Sequence, residues 1–322
     1  MLDRPLLSIC IPTWNRAELL DQCLRRILES FHEYMYNDII EIIVSDNGST
    51  DSTPFVVSKY KHAFCNFRYY RNATNIGFNQ NMLLLLTTYA TGQYLWFLGD
   101  DDLVTTISLS ILVYAIHKYN PRLILLRHNI EGIPNIYCPQ GVSFFLDAST
   151  LDSYFKILPF SKAVDEIAVP SNVLVTYFGC SVYRKDLINM KYVAHIQDNH
   201  WRSFVEVFPN SYLLFGSFSK EKQVCLVNLG LINVKAIEKE WDNKMVDIWR
   251  KFLPQLCVFA YSLGIKRSDL TRNRIIILKG VVGSFCRSTR RWSKVAYLIK
   301  NLVSVFSYRV LGIGNQNGHD KR

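Results

Sequence analysis

The sequence predicts an α/β fold in which an open sheet is flanked by helices. Five short apolar runs have the length and composition of buried strands. The segments between them carry apolar residues at helical spacing, and strands that alternate with helices at this spacing form parallel βαβ units. The predicted strands are Leu6–Ile11, Ile39–Val44, Phe67–Tyr70, Tyr94–Leu98 and Leu123–Leu126.

Four helices are expected among these strands. Asn15, with Glu18 three residues later, resembles an N-cap and capping box for the first helix. Pro54 favours the start of the second helix, because proline suits the first helical turn. The predicted helices are Leu19–Leu28, a segment that begins at Ser52 or Thr53, Phe78–Tyr89 and Ile107–Tyr119.

The second half of the chain has a weaker pattern. From residue 131 onward, glycines and prolines interrupt a loop-rich stretch. Strands are expected there near Asn172–Tyr183, Tyr212–Phe218 and Gln223–Asn228. After Trp241 the pattern is helical and basic, which predicts a C-terminal helical extension over residues 241–322.

The composition is that of a globular protein with excess positive charge. Of the 322 residues, 49% are hydrophobic and 20% are charged, which excludes the disordered and fibrous classes. The chain has 37 Lys and Arg against 27 Asp and Glu, a formal charge of +10. Most of this excess lies in the C-terminal third, which indicates an anionic partner there.

The cysteines and apolar runs bear on the compartment. Eight dispersed cysteines show no spacing typical of zinc sites, which predicts reduced thiols. The N-terminus has too short an apolar stretch for a signal peptide. No run reaches the roughly 18 apolar residues that a membrane-spanning helix needs. We therefore expect a cytoplasmic protein, and no nucleic-acid partner.

Three consecutive carboxylates follow the fourth predicted strand. In such sheets ligands bind beyond the carboxyl ends of the strands. Asp100, Asp101 and Asp102 would repel one another in a partly buried site, and a divalent cation such as Mg²⁺ or Mn²⁺ would resolve that repulsion. The alternative is a solvated acidic turn that caps a helix near Thr105. The apolar strand before the turn and two other polar strand ends favour the metal site.

The two other polar strand ends carry groups suited to a nucleotide. Trp14 offers a ring for a base and Arg16 a guanidinium for phosphate, although a packed Trp and a surface Arg are more frequent fates for such residues. Asp46 offers a carboxylate to a base or ribose, or it only shapes a turn.

A polar loop precedes the third predicted helix. Gly77 would let the backbone approach a ligand closely, and the helix N-terminus that follows favours anions. Helix capping explains the loop nearly as well. Its polar residues are Asn72, Asn75 and Asn81.

Four motifs together resemble the family 2 glycosyltransferases with the GT-A fold. Ser8–Arg16 resembles their opening strand and Pro-Thr-Tyr-Asn-Arg motif, and Ser45–Asp51 resembles their Asp-Asp/Asn-Gly-Ser-Thr-Asp motif. Asn75–Asn81 is similar to their Asn-x-Gly loop, and Gly99–Asp102 to their DXD motif. The resemblance covers about a third of the chain and implies an open mixed sheet.

The resemblance also implies roles for these residues. Asp102, with Asp100, would hold Mn²⁺ or Mg²⁺ on the diphosphate of a nucleotide-sugar donor. Trp14 replaces the usual Tyr, and Gly99 stands where many members have the first Asp, so the metal contact among the three aspartates stays open. The residues implied to bind the donor are Pro12, Thr13, Trp14, Asn15, Arg16, Asp46, Asn75, Gly77, Asn81, Asp100 and Asp101.

The family's catalytic base lies about a hundred residues after the DXD motif. It is usually acidic, and a His replaces it in the subgroup of O-antigen enzymes that this chain resembles. His200 fits the expected position best, with Asp198 and Glu206 as competitors, and a purely structural role explains each of them at least as well. Asp165-Glu166 is a more distant candidate, better explained as a solvated loop pair.

The resemblance implies an inverting, metal-dependent glycosyltransferase of surface polysaccharide or O-antigen synthesis, whose acceptor is a lipid-linked glycan. Residues 1–240 would form the GT-A domain, with a nucleotide-binding half at 1–130 and an acceptor half at 131–240. The basic cluster Arg287–Lys294 would contact the anionic cytoplasmic face of the inner membrane, although a solvated helix face is equally well supported.

Two other functions compete with this one. A sugar-phosphate nucleotidyltransferase also uses an α/β sheet and metal-binding carboxylates, but Pro12–Arg16 lacks the glycines of its phosphate loop. A non-enzymatic basic protein that docks on membranes or glycans leaves the carboxylates of Asp100–Asp102 unexplained. Metal-dependent nucleotide affinity separates the docking protein from the transferase.

Overall fold

The computed structural model describes residues 4–31, 38–130, 148–169, 172–197, 200–234, 244 and 247–288. Nine strands in these residues form one mixed sheet: β1 Leu7–Thr13, β2 Ile40–Asp46, β3 Phe67–Arg71, β4 Tyr94–Phe97, β5 Asp102–Val104, β6 Leu123–Ile130, β7 Phe155–Leu158, β8 Ser181–Arg184 and β9 Val224–Val234.

The sheet has a parallel half and a mixed half. Strands β3, β2, β1 and β4 lie parallel in that order. Strand β8 then lies antiparallel between β4 and β6. Strand β9 runs parallel to β6 and also pairs with β5 and β7, both antiparallel. The long strand β9 therefore ties the acidic turn at the start of β5 to the second half of the chain.

Helices cover both faces of this sheet. The α-helices of the described residues are α1 Ala17–Glu29, α2 Thr53–Tyr60, α3 Phe78–Leu84, α4 Ser108–Tyr119, α5 Ala148–Asp152, α6 Phe160–Ile167, α7 Met190–Val193, α8 Phe204–Val207, α9 Pro209–Phe218, α10 Leu253–Ser262 and α11 Thr271–Ser288. A π-helical turn, Leu85–Tyr89, extends α3, and another, Ile248–Phe252, leads into α10.

The pattern of the first 130 residues predicted their elements well. All five strands begin within one residue of the predicted start, and the four helices are present. The strand predicted at Tyr212–Phe218 is wrong, because this segment lies in helix α9. It carries apolar residues with no alternation, and Pro209 begins a helix there. Of the strand predicted at Asn172–Tyr183, only the part from Ser181 onward is extended.

Two hydrophobic clusters fill the space between the sheet and its helices. One lies under α1, α2 and α4, and the other lies under α3, α6 and α9. The described residues of the C-terminal extension pack into the second cluster, where Trp249, Phe252, Leu256 and Ile277 are buried. None of the described helices is long and apolar enough to cross a membrane.

Helix α1 begins in a different way from the predicted capping box. Asn15 has a left-handed backbone with φ of 52°, and its amide oxygen accepts the N–H of Thr50 at 2.7 Å. It therefore lacks the extended geometry of an N-cap residue. The cap comes from the next strand end, where Asp51 accepts the N–H of Ala17 at 3.0 Å and the hydroxyl of Thr53 at 2.6 Å.

A buried carboxylate organises the opposite edge of the sheet, where β1, β2 and β4 begin. Glu41 is 1% exposed and accepts hydrogen bonds from the N–H groups of Thr91 and Gly92, at 2.7 and 2.9 Å. It also accepts the hydroxyl of Ser8 and pairs with Arg68. Removing one partner of such a buried pair leaves the other partner and its donors unsatisfied.

We expect Glu41→Ala to lower the free energy of unfolding by about 3–5 kcal/mol, measured by urea denaturation. Glu29→Ala is the control, since Glu29 pairs with Arg26 on the exposed face of α1. That pair should contribute at most about 1 kcal/mol. Equal losses in the two variants would contradict the role of Glu41.

Asp51→Ala should lower stability by about 0.5–2 kcal/mol at pH 7, through loss of the α1 cap. Partial burial acts to raise the pKa of Asp51, but hydrogen bonds from Thr53 and Ala17 outweigh it, and the pKa is lowered. Its carboxylate therefore stabilises the fold fully above the ordinary Asp pKa of about 3.9. That contribution is lost as the pH falls through the lowered value.

The measurement is thermal unfolding of wild type and Asp51→Ala between pH 7 and pH 3. The difference in Tm should be largest at neutral pH and shrink in the acidic range. Ser52→Ala is the matched control, since Ser52 lies in the same turn and its side chain makes no capping hydrogen bond. A difference that grows toward pH 3 would refute this account of Asp51.

Candidate active site

The polar ends of β1, β2 and β4 meet at one edge of the sheet. Thr13, the last residue of β1, lies opposite Asp46, the last residue of β2. The hydroxyl of Thr13 also donates to Asp100 Oδ2 at 2.8 Å. Arg16 Nη1 donates to Asp100 Oδ1 at 2.9 Å and lies 3.7 Å from Asp101 Oδ2. The ends of these strands therefore bring residues from three motifs together.

Asp46 is fully buried, and its donors come from β3 and the adjacent turn. Tyr69 donates its hydroxyl to Asp46 Oδ2 at 2.6 Å, and the N–H of Ser49 donates to Oδ1 at 2.8 Å. Arg71 Nε lies 3.5 Å from the same carboxylate. Burial and the Asp46 carboxylate raise the pKa of Tyr69, so this hydroxyl keeps its proton and remains a donor.

Asp102 is held from two sides. Its Oδ2 accepts the N–H of Gly99 at 2.9 Å, and its Oδ1 accepts the hydroxyl of Tyr177. A Cβ atom at Gly99 would lie 2.8 Å from Asp102 Oδ2 and 2.9 Å from Asp101 Oδ1. The glycine at this position therefore gives the two carboxylates room to fold back over the turn.

The acidic turn concentrates negative charge in a buried place. Asp100, Asp101 and Asp102 are 4%, 6% and 2% exposed, so the acidic turn is not solvated. Burial and the neighbouring Asp101 raise the pKa of Asp100 to about 6, against the opposing effect of Arg16. The turn leads into strand β5, and α4 begins only at Ser108, so a helix cap does not explain the aspartates.

The oxygen donors of this turn fit a hard divalent cation. Carboxylates suit Mg²⁺ and Mn²⁺, and Mg²⁺ commonly takes one or two protein carboxylates together with substrate phosphates. Within the residues that the structure describes, no group of three His, Cys, Asp or Glu side chains forms a metal-binding cluster. A cation held here would thus complete its coordination with water or with the oxygens of a bound phosphate.

The predicted polar loop is folded around one side chain, Asn47. Its amide nitrogen donates to Asn75 Oδ1 at 2.8 Å and to the carbonyl of Gly77 at 3.2 Å. Gly77 has φ of 85°, which its lack of a side chain permits. Asn81 is buried and hydrogen bonded to Ser45, with its Nδ2 2.9 Å from the carbonyl oxygen. Asn81 thus supports the loop from beneath.

The remaining donor-side residues differ in exposure. Trp14 follows the last residue of β1 and is 49% exposed, so its ring is available to a ligand. Pro12 is buried within β1, opposite Ser45 of β2. Asn15 shapes the turn through Thr50, as described above. For all of these positions, contact with a nucleotide stays a prediction.

The candidate bases lie on the segment between α7 and α8. His200 is exposed, and its backbone N–H donates to Glu206 Oε2 at 2.8 Å. Glu206 is 6% exposed and also accepts from Arg202. Burial acts to raise its pKa, but the hydrogen bonds from His200 and Arg202 outweigh this and lower it. Glu206 therefore organises the segment, while Asp198 lies outside the described residues.

Asp165 and Glu166 do not form a loop pair as predicted. They lie in the last turn of α6. Asp165 accepts the N–H of Asn273 at 3.0 Å, and Glu166 pairs with Lys156. Their helical position follows from the apolar residues on the same element, which pack into the core.

Sequence reasoning missed three residues that support the site. Tyr69 and Tyr177 donate to Asp46 and Asp102, and the side chain of Asn79 donates to the backbone on either side of His200. The contact of Tyr69 could have been predicted from the sequence, because Tyr69 belongs to a predicted strand that neighbours the strand ending in Asp46. Tyr177 and Asn79 reach partners that are 75 and 118 residues away in the sequence.

Solved structures share this fold. Staphylococcus aureus TarS 1–349, in complex with UDP-GlcNAc, has a TM-score of 0.58 over 93% of this chain and 80% of that chain, at 14% identity. Mannosyltransferase PcManGT from Pyrobaculum calidifontis, in complex with GDP-Man and Mn²⁺, has a TM-score of 0.57 over 96% of this chain and 82% of that chain, at 13% identity. The likeness concerns the fold, and it confirms the predicted GT-A type.

Curated relatives match about a third of the chain. Abequosyltransferase RfbV of Salmonella typhimurium is 39% identical over 109 residues, 33% of this chain and 31% of that protein. The GalNAc(5)-diNAcBac-PP-undecaprenol beta-1,3-glucosyltransferase of Campylobacter jejuni is 34% identical over 110 residues, 34% of each chain. The matched part thus spans about a third of the length of these relatives.

A broader match comes from the model of a protein family. The model of glycosyl transferase family 2 covers residues 8–189 of the 322, from the first strand through β8. Because this match exceeds half of the chain, the protein belongs to glycosyl transferase family 2.

Proposed function

We propose that this protein transfers a sugar from a nucleotide diphosphate donor to a hydroxyl of a glycan acceptor. One observation carries the proposal: at the carboxyl edge of the sheet, Thr13 lies opposite Asp46 in the strand register and donates its hydroxyl to Asp100. The fold neighbours with UDP-GlcNAc and GDP-Man bound support a nucleotide-sugar donor.

The donor would lie across the ends of β1 and β2. Asp46 and Asn15 would hold the nucleoside, and the exposed ring of Trp14 would stack on its base or ribose, with stacking worth about 1–3 kcal/mol per base. Arg16 is positioned beside Asp100, and its guanidinium would share its charge between that carboxylate and a phosphate. The remaining predicted positions would shape the loop against the donor.

A divalent cation is part of the proposal. Asp102 and Asp100 would hold Mn²⁺ or Mg²⁺, which would offset the charge of the diphosphate leaving group. This role agrees with the buried acidic turn, where Asp101 raises the pKa of Asp100 in spite of Arg16. The PcManGT structure with Mn²⁺ supports the choice of metal.

The transfer itself would be a single displacement with inversion. A base on the segment after α7, His200 or Asp198, accepts the proton of the acceptor hydroxyl. The hydroxyl oxygen then forms a bond to the anomeric carbon as the bond from that carbon to the diphosphate oxygen breaks. The electron pair of the broken bond leaves with the nucleoside diphosphate.

The acceptor would be a lipid-linked glycan in surface polysaccharide or O-antigen synthesis. The printed names of the Salmonella and Campylobacter relatives support this class, since one transfers abequose and the other acts on an undecaprenol diphosphate glycan. Contact with the cytoplasmic face of the membrane would come from the basic cluster Arg287–Lys294. The side chains of this cluster lie outside the described residues.

Thermal unfolding with UDP, GDP, CDP and dTDP, each with and without Mn²⁺, tests donor binding. One nucleoside diphosphate at 100 times its Kd should add about 2.7 kcal/mol of stability, a rise in Tm of about 4 °C for a chain of this size. The rise should require Mn²⁺ and be absent in Asp102→Asn. Asp186→Asn, which changes an exposed ion pair, is the control and should keep it.

Equal shifts with and without Mn²⁺ would count against the cation site. A shift with a nucleoside triphosphate and a sugar phosphate, and with no diphosphate, would favour nucleotidyl transfer instead. Absence of any nucleotide effect would favour the docking protein.

Single-turnover kinetics of His200→Ala and Asp198→Asn should identify the base. The variant that lacks the base should lose about 10²–10⁴-fold in the single-turnover rate constant. Its Kd for the nucleoside diphosphate should stay unchanged, because the donor contacts lie on β1, β2 and the acidic turn. Arg202→Ala, which removes an exposed side chain of the same segment, controls for disruption of the segment. A wild-type rate constant in both variants would exclude both residues as the base.

A further inference from the structure

Asn79 makes an unusual pair of contacts in the first turn of α3. Its side chain is fully buried, and its amide nitrogen donates to the carbonyl of Gln197 at 2.7 Å and to the carbonyl of Glu206 at 2.9 Å. Its amide oxygen is buried and has no hydrogen-bond partner in the part of the chain that the structure describes. Turning the amide over would place this oxygen against two carbonyl oxygens, so its orientation is fixed.

The two acceptors flank the segment that carries His200. The side chain of Glu206 also holds this segment, because its carboxylate accepts the N–H groups of His200 and Arg202, at 2.8 and 3.3 Å. Trp201 has a left-handed backbone with φ of 59°. Such a conformation is strained for a bulky residue and persists only where the surroundings impose it. Asn79 supplies the outer restraint, and Glu206 supplies the inner one.

The other side of Asn79 is attached to the donor-side loop. Two residues earlier, the carbonyl of Gly77 accepts from Asn47, the residue that follows Asp46 and β2. One residue earlier, the ring of Phe78 packs edge-on against Phe178 at 5.4 Å between centroids. The first turn of α3 is thus a rigid link between the donor-side loop and the segment with the candidate base.

We propose that Asn79 is a positioning residue that sets the distance of His200 from the bound donor. The proposal rests on the proposed glycosyl transfer and adds a residue that touches neither substrate. Because Asp46 and Asp100 keep their own hydrogen bonds, loss of the Asn79 contacts should lower kcat and leave donor affinity unchanged. A displacement of about 1 Å in a reacting group lowers the rate by as much as about 10²-fold.

The test uses the full chain and two variants. Asn79→Asp keeps the shape and turns the double donor into an acceptor, and Asn79→Ala removes the contacts without repulsion. The substrate is the sugar nucleotide that wild type turns over fastest in a panel of UDP, GDP, CDP and dTDP sugars. With this substrate, we expect the kcat of each variant to fall by about 10–100-fold. The Kd of the matching nucleoside diphosphate should change less than about twofold. Amide exchange should rise in peptides over 200–207.

Asn129→Asp is a matched control. Asn129 is also buried, its amide nitrogen donates to the carbonyl of Gly230 at 3.0 Å and to Asn233, and its amide oxygen also lacks a hydrogen-bond partner within the described residues. It lies on β6, and these two hydrogen bonds reach β9 rather than the segment with His200. Its variant should lose a similar amount of Tm and keep kcat within about twofold.

A double-mutant cycle separates positioning from simple destabilisation. If Asn79 acts through His200, the double variant Asn79→Ala/His200→Ala should be no slower than His200→Ala, because coupled residues are not additive. Additive losses, an unchanged kcat in both Asn79 variants or a parallel loss of donor affinity would each overturn the proposal. Failure of the wild type to bind any nucleoside diphosphate would instead overturn the proposed function. In that case, amide exchange would still show whether Asn79 restrains the segment that carries His200.

Discussion

Asp100 lies buried between Thr13 and Arg16, and this contact fixes how the first strand, the acidic turn and helix α1 meet. A buried carboxylate needs donors, because the cost of removing it from water is otherwise uncompensated. The donors for Asp46 and Asp102 come from still other elements, through Tyr69 of β3 and Tyr177 ahead of β8. The carboxyl edge of the sheet is therefore held together by residues from both halves of the chain.

The two edges of the sheet meet this demand in different ways. At the amino edge, Glu41 gathers N–H groups, hydroxyls and Arg68 around a single carboxylate. At the carboxyl edge, Asp100, Asp101 and Asp102 stand side by side, and the pKa of Asp100 is raised by burial and by Asp101. The repulsion between Asp100 and Asp101 is retained there in spite of Arg16, and perturbed carboxylates of this kind are typical of functional sites.

The strands of the parallel half are buried on both faces, so their sequences are continuous apolar runs. This pattern is why the sequence predicted that half of the sheet. It also predicted the shared edge of Asp46 and Asp100, since parallel strands in βαβ order bring their carboxyl ends together. It failed where the partner is distant. The cap of α1 comes from Asp51 rather than Asn15, and nothing near Asp51 marks Ala17 as its partner.

The same limit explains the errors beyond residue 131. Helix α9 is apolar on all sides because it is buried, so its residues have neither the alternation of a strand nor the stripe of a surface helix. Glu206 was a plausible base by type and position. Its carboxylate also accepts backbone N–H groups of its own segment, a contact that residue type and position do not predict.

The C-terminal helices take part in the same support. The N–H of Leu174 donates to the side chain of Asn273 on α11, at 2.7 Å. Leu174 and Val175 both have left-handed backbones, with φ of 53° and 54°, which a β-branched residue adopts only under restraint. The strained turn ends two residues before Tyr177, whose hydroxyl holds Asp102. A continuous set of contacts thus runs from α11 to the acidic turn, so these helices contribute to the geometry of the site even though they carry none of its carboxylates.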